Sequence, residues 1–391
     1  MQVDVLIAGG GAVGSACAYF LNSLPEFRGT IAVVEPDPSY AGAASTRSAS
    51  SIRLQFSTPI NIALSKFGMQ FLREAPQRFA HAGAPGNVGL VESTYLYLAT
   101  PAGRSVLEER IAIQRAAGVR ATLRERGALV ARYPWLNSRD LAAGCDTLSG
   151  EGWFDGYALL ASLRAANERA GVTYLRDRVT RFEQSRNGRI EAALLQERGA
   201  VGCRCAVNAA GTRSRDLAGT VGIDLPVYAR KRSVFVFTCP VAIPHCPLVI
   251  DPSGLWFRPE RDRFLCGPPA EPDPDVAPED FEVDYALFEA RAWPVLAHRV
   301  PAFEAVRMSS AWAGHYDYNA FDQNAFVGPV PGIPNLLLAS GFTGHGLQHA
   351  PGIGRALAEY ICFGAYRTID LAALSYARFL TDTPLRELNV I

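Results

Sequence analysis

Lysine is nearly absent: of the 38 basic residues, only Lys66 and Lys231 are lysines and the rest are arginines. Any lysine-dependent mechanism therefore has two candidates. Lys+Arg and Asp+Glu balance at 38 each, so no net field draws the chain to nucleic acid or to an acidic membrane. The eight cysteines are scattered, and no set of Cys and His has zinc spacing. Neither a metal site nor a disulfide framework is expected, in keeping with a reducing compartment. Cys203 and Cys205 lie two apart in an alternating run, which leaves a same-face redox pair open beside two ordinary strand cysteines. No apolar run is long enough to span a bilayer. The first strand-like run starts almost at Met1, leaving no room for a signal or transit peptide, so a cytoplasmic protein is expected.

What is present begins with glycine. An apolar run from Val3 to Ala8 leads into Gly9-Gly10-Gly11-Ala12-Val13-Gly14, a helix-compatible stretch, a second apolar run through Val34, and Glu35. This is the order of a dinucleotide site: strand, G-x-G-x-x-G turn, helix, strand, acid. Gly9 turns off the strand, Gly11 lets the backbone approach a pyrophosphate at the helix N-terminus, and Gly14 lets helix and sheet pack closely. Glu35 accepts from both ribose hydroxyls and repels a 2′-phosphate, which disfavours NADP. The motif alone does not separate NAD from FAD.

Length allows two domains with substantial cores, at 391 residues. After Glu35 comes a small, hydroxylated stretch, 41–51, suited to lie against phosphates. Helices are expected from about Pro59 through Leu72, over Arg104–Ala117, over Ala158–Ala170 and over Ile353–Cys362 with Pro351 near its start. Strands are expected at 90–97, 172–175, 178–182, 233–238, 254–258 and 335–340. Pro268–Asp275 reads as a rigid surface loop. The composition shift toward aromatics and Pro near 226–326 marks an inserted domain, and the strand and helix pattern reads as an α/β (α+β) chain. In it a Rossmann-type domain (1–80, 146–225 and 326–391) carries an inserted mixed-sheet substrate domain (81–145 and 226–325).

The glycine motif with Glu35, then Ala44-Ser45-Thr46-Arg47-Ser48-Ala49, resembles the D-amino acid oxidase superfamily of FAD enzymes, in the branch with sarcosine oxidase, glycine oxidase and D-arginine dehydrogenase. The strand 335–340, the turn Gly341-Phe342-Thr343-Gly344-His345-Gly346-Leu347-Gln348 and the following helix resemble that superfamily's closing element, whose amides face the flavin pyrimidine. The resemblance runs on through Trp312-Ala313-Gly314 and Arg378-Phe379. It implies non-covalent FAD held by Gly9, Gly11, Ala12, Val13, Gly14, Glu35, Ser45, Thr46, Arg47 and Ser48. Val179 is implied at the adenine side, Ala209, Ala210 and Gly211 at a second glycine turn, and Gly341, Gly344, His345, Gly346, Leu347 and Gln348 at the flavin. The segment Ser50–Ser65 is similar to a mitochondrial branch implicated in assembling a respiratory complex.

The reaction so implied is hydride transfer from the carbon beside an amine to flavin N5, giving an imine. Arg53 matches the carboxylate-binding Arg of sarcosine oxidase and Arg232 a substrate Arg of D-arginine dehydrogenase, two candidate clamps. Tyr316 stands where the glycine-oxidase pattern has another carboxylate Arg. Phe56 and Trp256 replace tyrosines, implying an aromatic pocket for an amino acid or N-substituted amino acid. His345 reads as an orienting donor or a base, and His315 as a pocket base or a packed loop histidine. Gly314 replaces the cysteine that bonds the flavin in sarcosine oxidase, and that enzyme's oxygen-activating lysine has no match near Pro268–Glu271. The electron acceptor is O2, a quinone or a carrier protein. Two other classes compete: a flavoprotein retained as a respiratory-complex assembly or partner-binding factor, and a 2-hydroxy acid dehydrogenase.

Overall fold

The opening run is apolar on both faces, and Gln2–Ala8 accordingly forms the centre of a sheet covered on both sides. The computed structural model of the protein describes residues 1–389. Thr173–Arg176, Ile31–Glu35, Gln2–Ala8, Gly199–Asn208 and Ile333–Ser340 lie side by side in that order, all parallel. Phe326–Val330 closes one edge antiparallel, and the pair Val179–Gln184 and Ile190–Leu195 extends the far end of Gly199–Asn208. The helices Ala12–Ser23, Pro59–His81, Gly156–Arg169 and Gly346–Phe363 share one apolar cluster against this sheet, including Leu21, Phe71, Leu159 and Leu357.

A second, mixed sheet has eight strands. Its order is Arg307–Asn319, Val227–Thr238, Arg263–Gly267, Trp256–Glu260, Leu248–Ile250, Tyr95–Ala99, Ala143–Thr147, Ala121–Glu125. A phenylalanine cluster, with Phe235, Phe237, Phe257 and Phe303, joins it to the helix Trp293–Arg299. The cavity described below opens between the C-terminal ends of the parallel strands and this sheet.

Several local expectations shift. The helix expected at 59–72 continues to His81 with Pro76 inside it, because buried Ala75 and Phe79 extend its apolar face. The helix expected at Ile353–Cys362 begins at Gly346, so part of the supposed glycine turn is its first turn, and Pro351 forfeits one ladder bond within it. Cys203 is buried in the cluster of Val3 and Leu6, and Cys205 is half-buried against the helix-side cluster. They are free thiols, like the other cysteines, and no redox pair forms. Among the described residues, no helix is long and apolar enough to cross a membrane.

One buried arginine ties the mixed sheet to its helix. Arg299, 2% exposed, gives Nε–H to Asp251 at 2.6 Å and grips Asp140 with both terminal nitrogens at 2.9 Å. Removing it leaves Asp251 buried and uncompensated beside the strand Leu248–Ile250. Arg299→Met should cost about 3–5 kcal/mol in urea unfolding; a loss under about 1 kcal/mol would show that the aspartates are solvated instead.

Candidate active site

The glycine turn is shaped by close approach. Gly9 has φ +104°, and a Cβ there would lie 2.2 Å from the Ala209 carbonyl oxygen; a Cβ on Gly14 would lie 2.0 Å from the Gly9 carbonyl oxygen. Neither position admits a side chain. Glu35 accepts the Gly10 amide at 2.9 Å and the Asp37 amide at 3.1 Å, which leaves lone pairs on both oxygens for ribose hydroxyls. Burial raises its pKa, and the two amides oppose that shift. Ser45 Oγ accepts the Ala12 amide at 3.0 Å, holding the loop 41–51 against the helix start.

These residues wall one end of a cavity of about 1170 Å³. A drug-sized ligand needs ~300–1,000 Å³, so there is room for a dinucleotide together with a small substrate. Gly9, Gly11, Ala12, Val13, Gly14, Glu35, Ser45, Arg47, Ser48, Val179, Ala209, Ala210 and Gly211 all line it, as do Gly344, His345, Gly346, Leu347 and Gln348. Thr46 and Gly341 do not. Thr46 turns its hydroxyl back to the carbonyls of Tyr40 and Ala43, and the Gly341 amide is given to Asp317 at 2.8 Å. Asp317 thereby holds the turn that leads into the helix Gly346–Phe363. Burial pushes its carboxyl up to about 6, against amide bonds from Phe342 and Gly341 that lower it.

The other end of the cavity belongs to Arg53, which is 3% exposed. Its segment is fixed by Glu151, whose carboxylate accepts the amides of Leu54 and Tyr95, each at 2.8 Å. Its own amide goes to Gln348 Oε1 at 3.0 Å. The guanidinium donates to Tyr97 Oη at 2.8 Å, to His345 Nε2 at 2.9 Å and to the Asn389 carbonyl. Because arginine only donates, His345 Nε2 is the acceptor and Nδ1 carries the proton. Burial, then the Arg53 charge, holds His345 well below the usual histidine range. Its Nε2 lone pair is engaged by Arg53. Phe56 lies behind the guanidinium, 4.5 Å from ring centroid to Arg53 Cζ, and outside the cavity lining. The aromatic wall comes instead from Tyr95, Trp256 and Tyr316, with Leu248 and Ile250.

Arg232 also lines the cavity, but Asp273 closes its fork with bonds of 2.7 and 2.9 Å. Its fork is thus already occupied by a carboxylate, unlike that of Arg53. The same contact corrects the reading of Pro268–Asp275 as mere surface: Pro268, Pro269, Ala270 and Asp273 are cavity wall. The acidic segment beyond folds over a basic strand. Asp275 meets Arg230 at 2.8 Å, Asp280 meets Lys231 at 2.7 Å and Glu279 meets Arg213. His315 stacks on Phe281 with centroids 4.4 Å apart and gives Nε2–H to the Asp280 carbonyl, so it is a packed histidine whose pKa burial lowers. Arg47 lies over Phe281 at 4.0 Å and bonds the Ala313 carbonyl at 2.8 Å, joining the nucleotide loop to the mixed sheet. A Cβ on Gly314 would meet the Arg47 carbonyl at 2.9 Å. Neither lysine lines the cavity.

Sequence reasoning passed over Tyr95, Asp273, Asp317, Phe281 and the segment reaching Asn389. The run of acids at 271–284 opposite Arg230-Lys231-Arg232 was the available signal for Asp273; Asn389 carried none.

A parallel sheet that ends in a glycine turn, with an acid at the next strand's end and a covered cavity beyond, defines a dinucleotide-dependent oxidoreductase. The model of the FAD dependent oxidoreductase family, DAO, matches residues 4–360, and the chain belongs to that family. FAD is therefore its cofactor. It is 40% identical to FAD-dependent oxidoreductase domain-containing protein 1 of Bos taurus, over 96% of this chain and 84% of that one. It is 28% identical to the formaldehyde-forming 4-methylaminobutanoate oxidase of Paenarthrobacter nicotinovorans, over 97% of this chain and 46% of that one. The fold resembles that of L-proline dehydrogenase from P. horikoshii, with TM-score 0.86, 19% identity and 98% and 99% of the two chains covered. Glycine oxidase from Geobacillus kaustophilus follows with TM-score 0.81, 23% identity and 96% and 98% covered.

Two outcomes test this geometry. Glu35→Ala should weaken FAD retention through gel filtration by about 10-fold, in keeping with charge-assisted ribose bonds of ~1.5–3 kcal/mol; unchanged flavin content would remove Glu35 from the ribose. Asp317, raised to about 6 from 3.8, contributes stability fully present below about pH 4 and lost as pH rises through about 6. In Asp317→Asn the fall in unfolding free energy between pH 4 and 7 should shrink by on the order of 3 kcal/mol. Parallel pH profiles for variant and parent would refute the shift.

Proposed function

We propose that the protein oxidises the C–N bond of an amino acid or N-substituted amino acid, with segments 1–80, 146–225 and 326–391 holding FAD and 81–145 and 226–325 shaping the substrate site. The observation that carries this is Arg53: a buried cation in the cavity wall, beside the N-terminus of the helix Gly346–Phe363, with no carboxylate side chain on it among the described residues. Burying an unpaired charge is costly, and a helix N-terminus adds positive potential, so the site favours an anion. A substrate carboxylate supplies one. Relatives point the same way, since 4-methylaminobutanoate oxidase and dimethylglycine dehydrogenase are each named for an N-methylated amine that bears a carboxylate.

Bound FAD supplies the two-electron acceptor. The chain anchors the carboxylate on Arg53 and excludes water with Tyr95, Leu248, Ile250 and Trp256. That strengthens the ionic anchor and limits how the amine-bearing carbon presents itself. With the His345 lone pair engaged and His315 packed against Phe281, the amine arrives as the free base.

The test is anaerobic reduction of the yellow holoprotein by a panel of D-amino acids, sarcosine, N-carboxyalkyl amines and 2-hydroxy acids, followed by air. An N-substituted or simple amino acid should bleach it, and the rate of recolouring separates oxidase from dehydrogenase. Arg53→Lys should raise KM for that substrate by about 10- to 100-fold, the loss of charge-assisted bonds worth ~1.5–3 kcal/mol. Bleaching by 2-hydroxy acids alone would overturn the C–N assignment, and holoprotein inert to the whole panel would favour a partner-binding flavoprotein.

A further inference from the structure

Arg53 is held in a way that conflicts with a two-point grip on a carboxylate. A guanidinium takes a carboxylate either side-on, through Nε–H and an Nη2–H, or end-on, through one hydrogen from each Nη. Both modes draw on Nη2. Here Nη2 bonds His345 Nε2 at 2.9 Å and the Asn389 main-chain carbonyl, which engages both of its hydrogens. The neighbouring Nε is buried and has no partner. A buried orphan donor beside a main-chain carbonyl marks a position made for another acceptor.

The carbonyl is brought there by a short segment with a firm root and a lightly held tip. At the root, Asn324 donates to the Leu385 carbonyl at 2.6 Å, and Asp322, paired with Arg378, accepts the Leu385 amide at 2.9 Å. Glu387, 0% exposed, accepts the amides and hydroxyls of Ser57 and Thr58 at 2.6–3.1 Å, at the start of the helix Pro59–His81. Beyond it the hold is lighter. The Leu388 amide meets Ser57 Oγ at 2.8 Å, the Asn389 amide meets Glu387 Oε1 at 3.0 Å and Asn389 Nδ2 meets the Gln55 carbonyl at 2.9 Å. Leu388 lines the cavity and is 59% exposed, while Asn389 is buried, so the tip runs inward from the rim.

We propose that Leu388–Asn389 is a displaceable strap that sets carboxylate specificity. The Asn389 carbonyl occupies the place of one carboxylate oxygen on Arg53, and an entering carboxylate binds side-on to Nε and Nη2 by pushing it off. The exchange satisfies the orphan Nε–H and leaves the root at Glu387 in place. It also makes the site selective: a ligand without a carboxylate, or with a single acceptor oxygen, does not repay the loss of the Asn389 contacts. This inference rests on the reading of Arg53 as the substrate anchor.

Benzoate is the probe, titrated calorimetrically into the FAD-loaded protein. Asn389→Gly removes the side-chain tie to Gln55 and loosens the tip without touching Arg53, and should tighten benzoate about 3- to 10-fold, the worth of a lost hydrogen bond of ~0.5–1.5 kcal/mol. Arg53→Lys should weaken benzoate at least about 10-fold with either residue at 389. In the unaltered protein, saturating benzoate should speed hydrogen exchange in the peptide covering 385–389, since the Leu388 and Asn389 amides lose their acceptors; this reading needs no variant to fold. Unchanged or weaker benzoate binding in Asn389→Gly, or unchanged or slower exchange, with Arg53→Lys still losing the ligand, overturns the strap and leaves the anchor standing. Benzoate binding indifferent to Arg53→Lys overturns the anchor, and the strap with it.

Discussion

The buried guanidinium of Arg53 is the constraint on which the site depends. It touches Tyr97 of the mixed sheet, His345 of the glycine turn and Asn389, while its own amide is tied to Gln348 in the helix that follows. One residue thus ties together three stretches distant from it in the chain, around Tyr97, His345–Gln348 and Asn389. Its hydrogen bonds are satisfied mostly by neutral acceptors, which spread the charge without cancelling it. A carboxylate side chain in the same place would have closed the fork, as Asp273 closes that of Arg232 elsewhere in the cavity wall.

The nucleotide end is built on a different physical basis. There the groups lining the cavity are backbone amides and the Glu35 carboxylate, and their spacing comes from contact distances that only glycine permits at Gly9 and Gly14. Arg47 connects the two ends. By bonding the Ala313 carbonyl and stacking on Phe281, it closes the loop after Glu35 onto the mixed sheet and onto the acidic segment that covers the cavity. Loss of order in that loop would therefore reach the substrate wall as well as the nucleotide.

Local signals carried the nucleotide half. Gly9, Gly14 and Glu35 act through short-range geometry, so their spacing is visible in the sequence, and the strands they connect have apolar runs that read as buried. Arg53 was legible as a residue but its surroundings were not, because Tyr97, His345 and Asn389 converge from distant positions. The surroundings of Arg232 were hidden for the same reason. An arginine and its partner 41 positions away look independent until a loop brings Asp273 back. The early start of the helix at Gly346 was hidden by Pro351, whose usual place near a helix start outweighed the apolar face that continues upstream.

Tyr316 and Asp317 show how one local change redistributes function. With tyrosine at 316, the wall facing Arg53 carries an aromatic ring against Gly344, where the glycine-oxidase pattern would set a second carboxylate anchor. Arg232 lies over that ring at 4.8 Å and is neutralised by Asp273, so it reinforces the wall and does not add positive charge to the cavity. The next residue, Asp317, spends its carboxylate on the amides of the turn that carries His345. The Arg53 end of the cavity thus holds a cation with no carboxylate side chain on it among the described residues, near the apolar side chains of Leu248, Ile250 and Trp256. Under the proposed function, such a cavity would discriminate by the distance between a carboxylate on Arg53 and the carbon to be oxidised, with the amine substituent meeting Tyr95, Leu248 and Trp256.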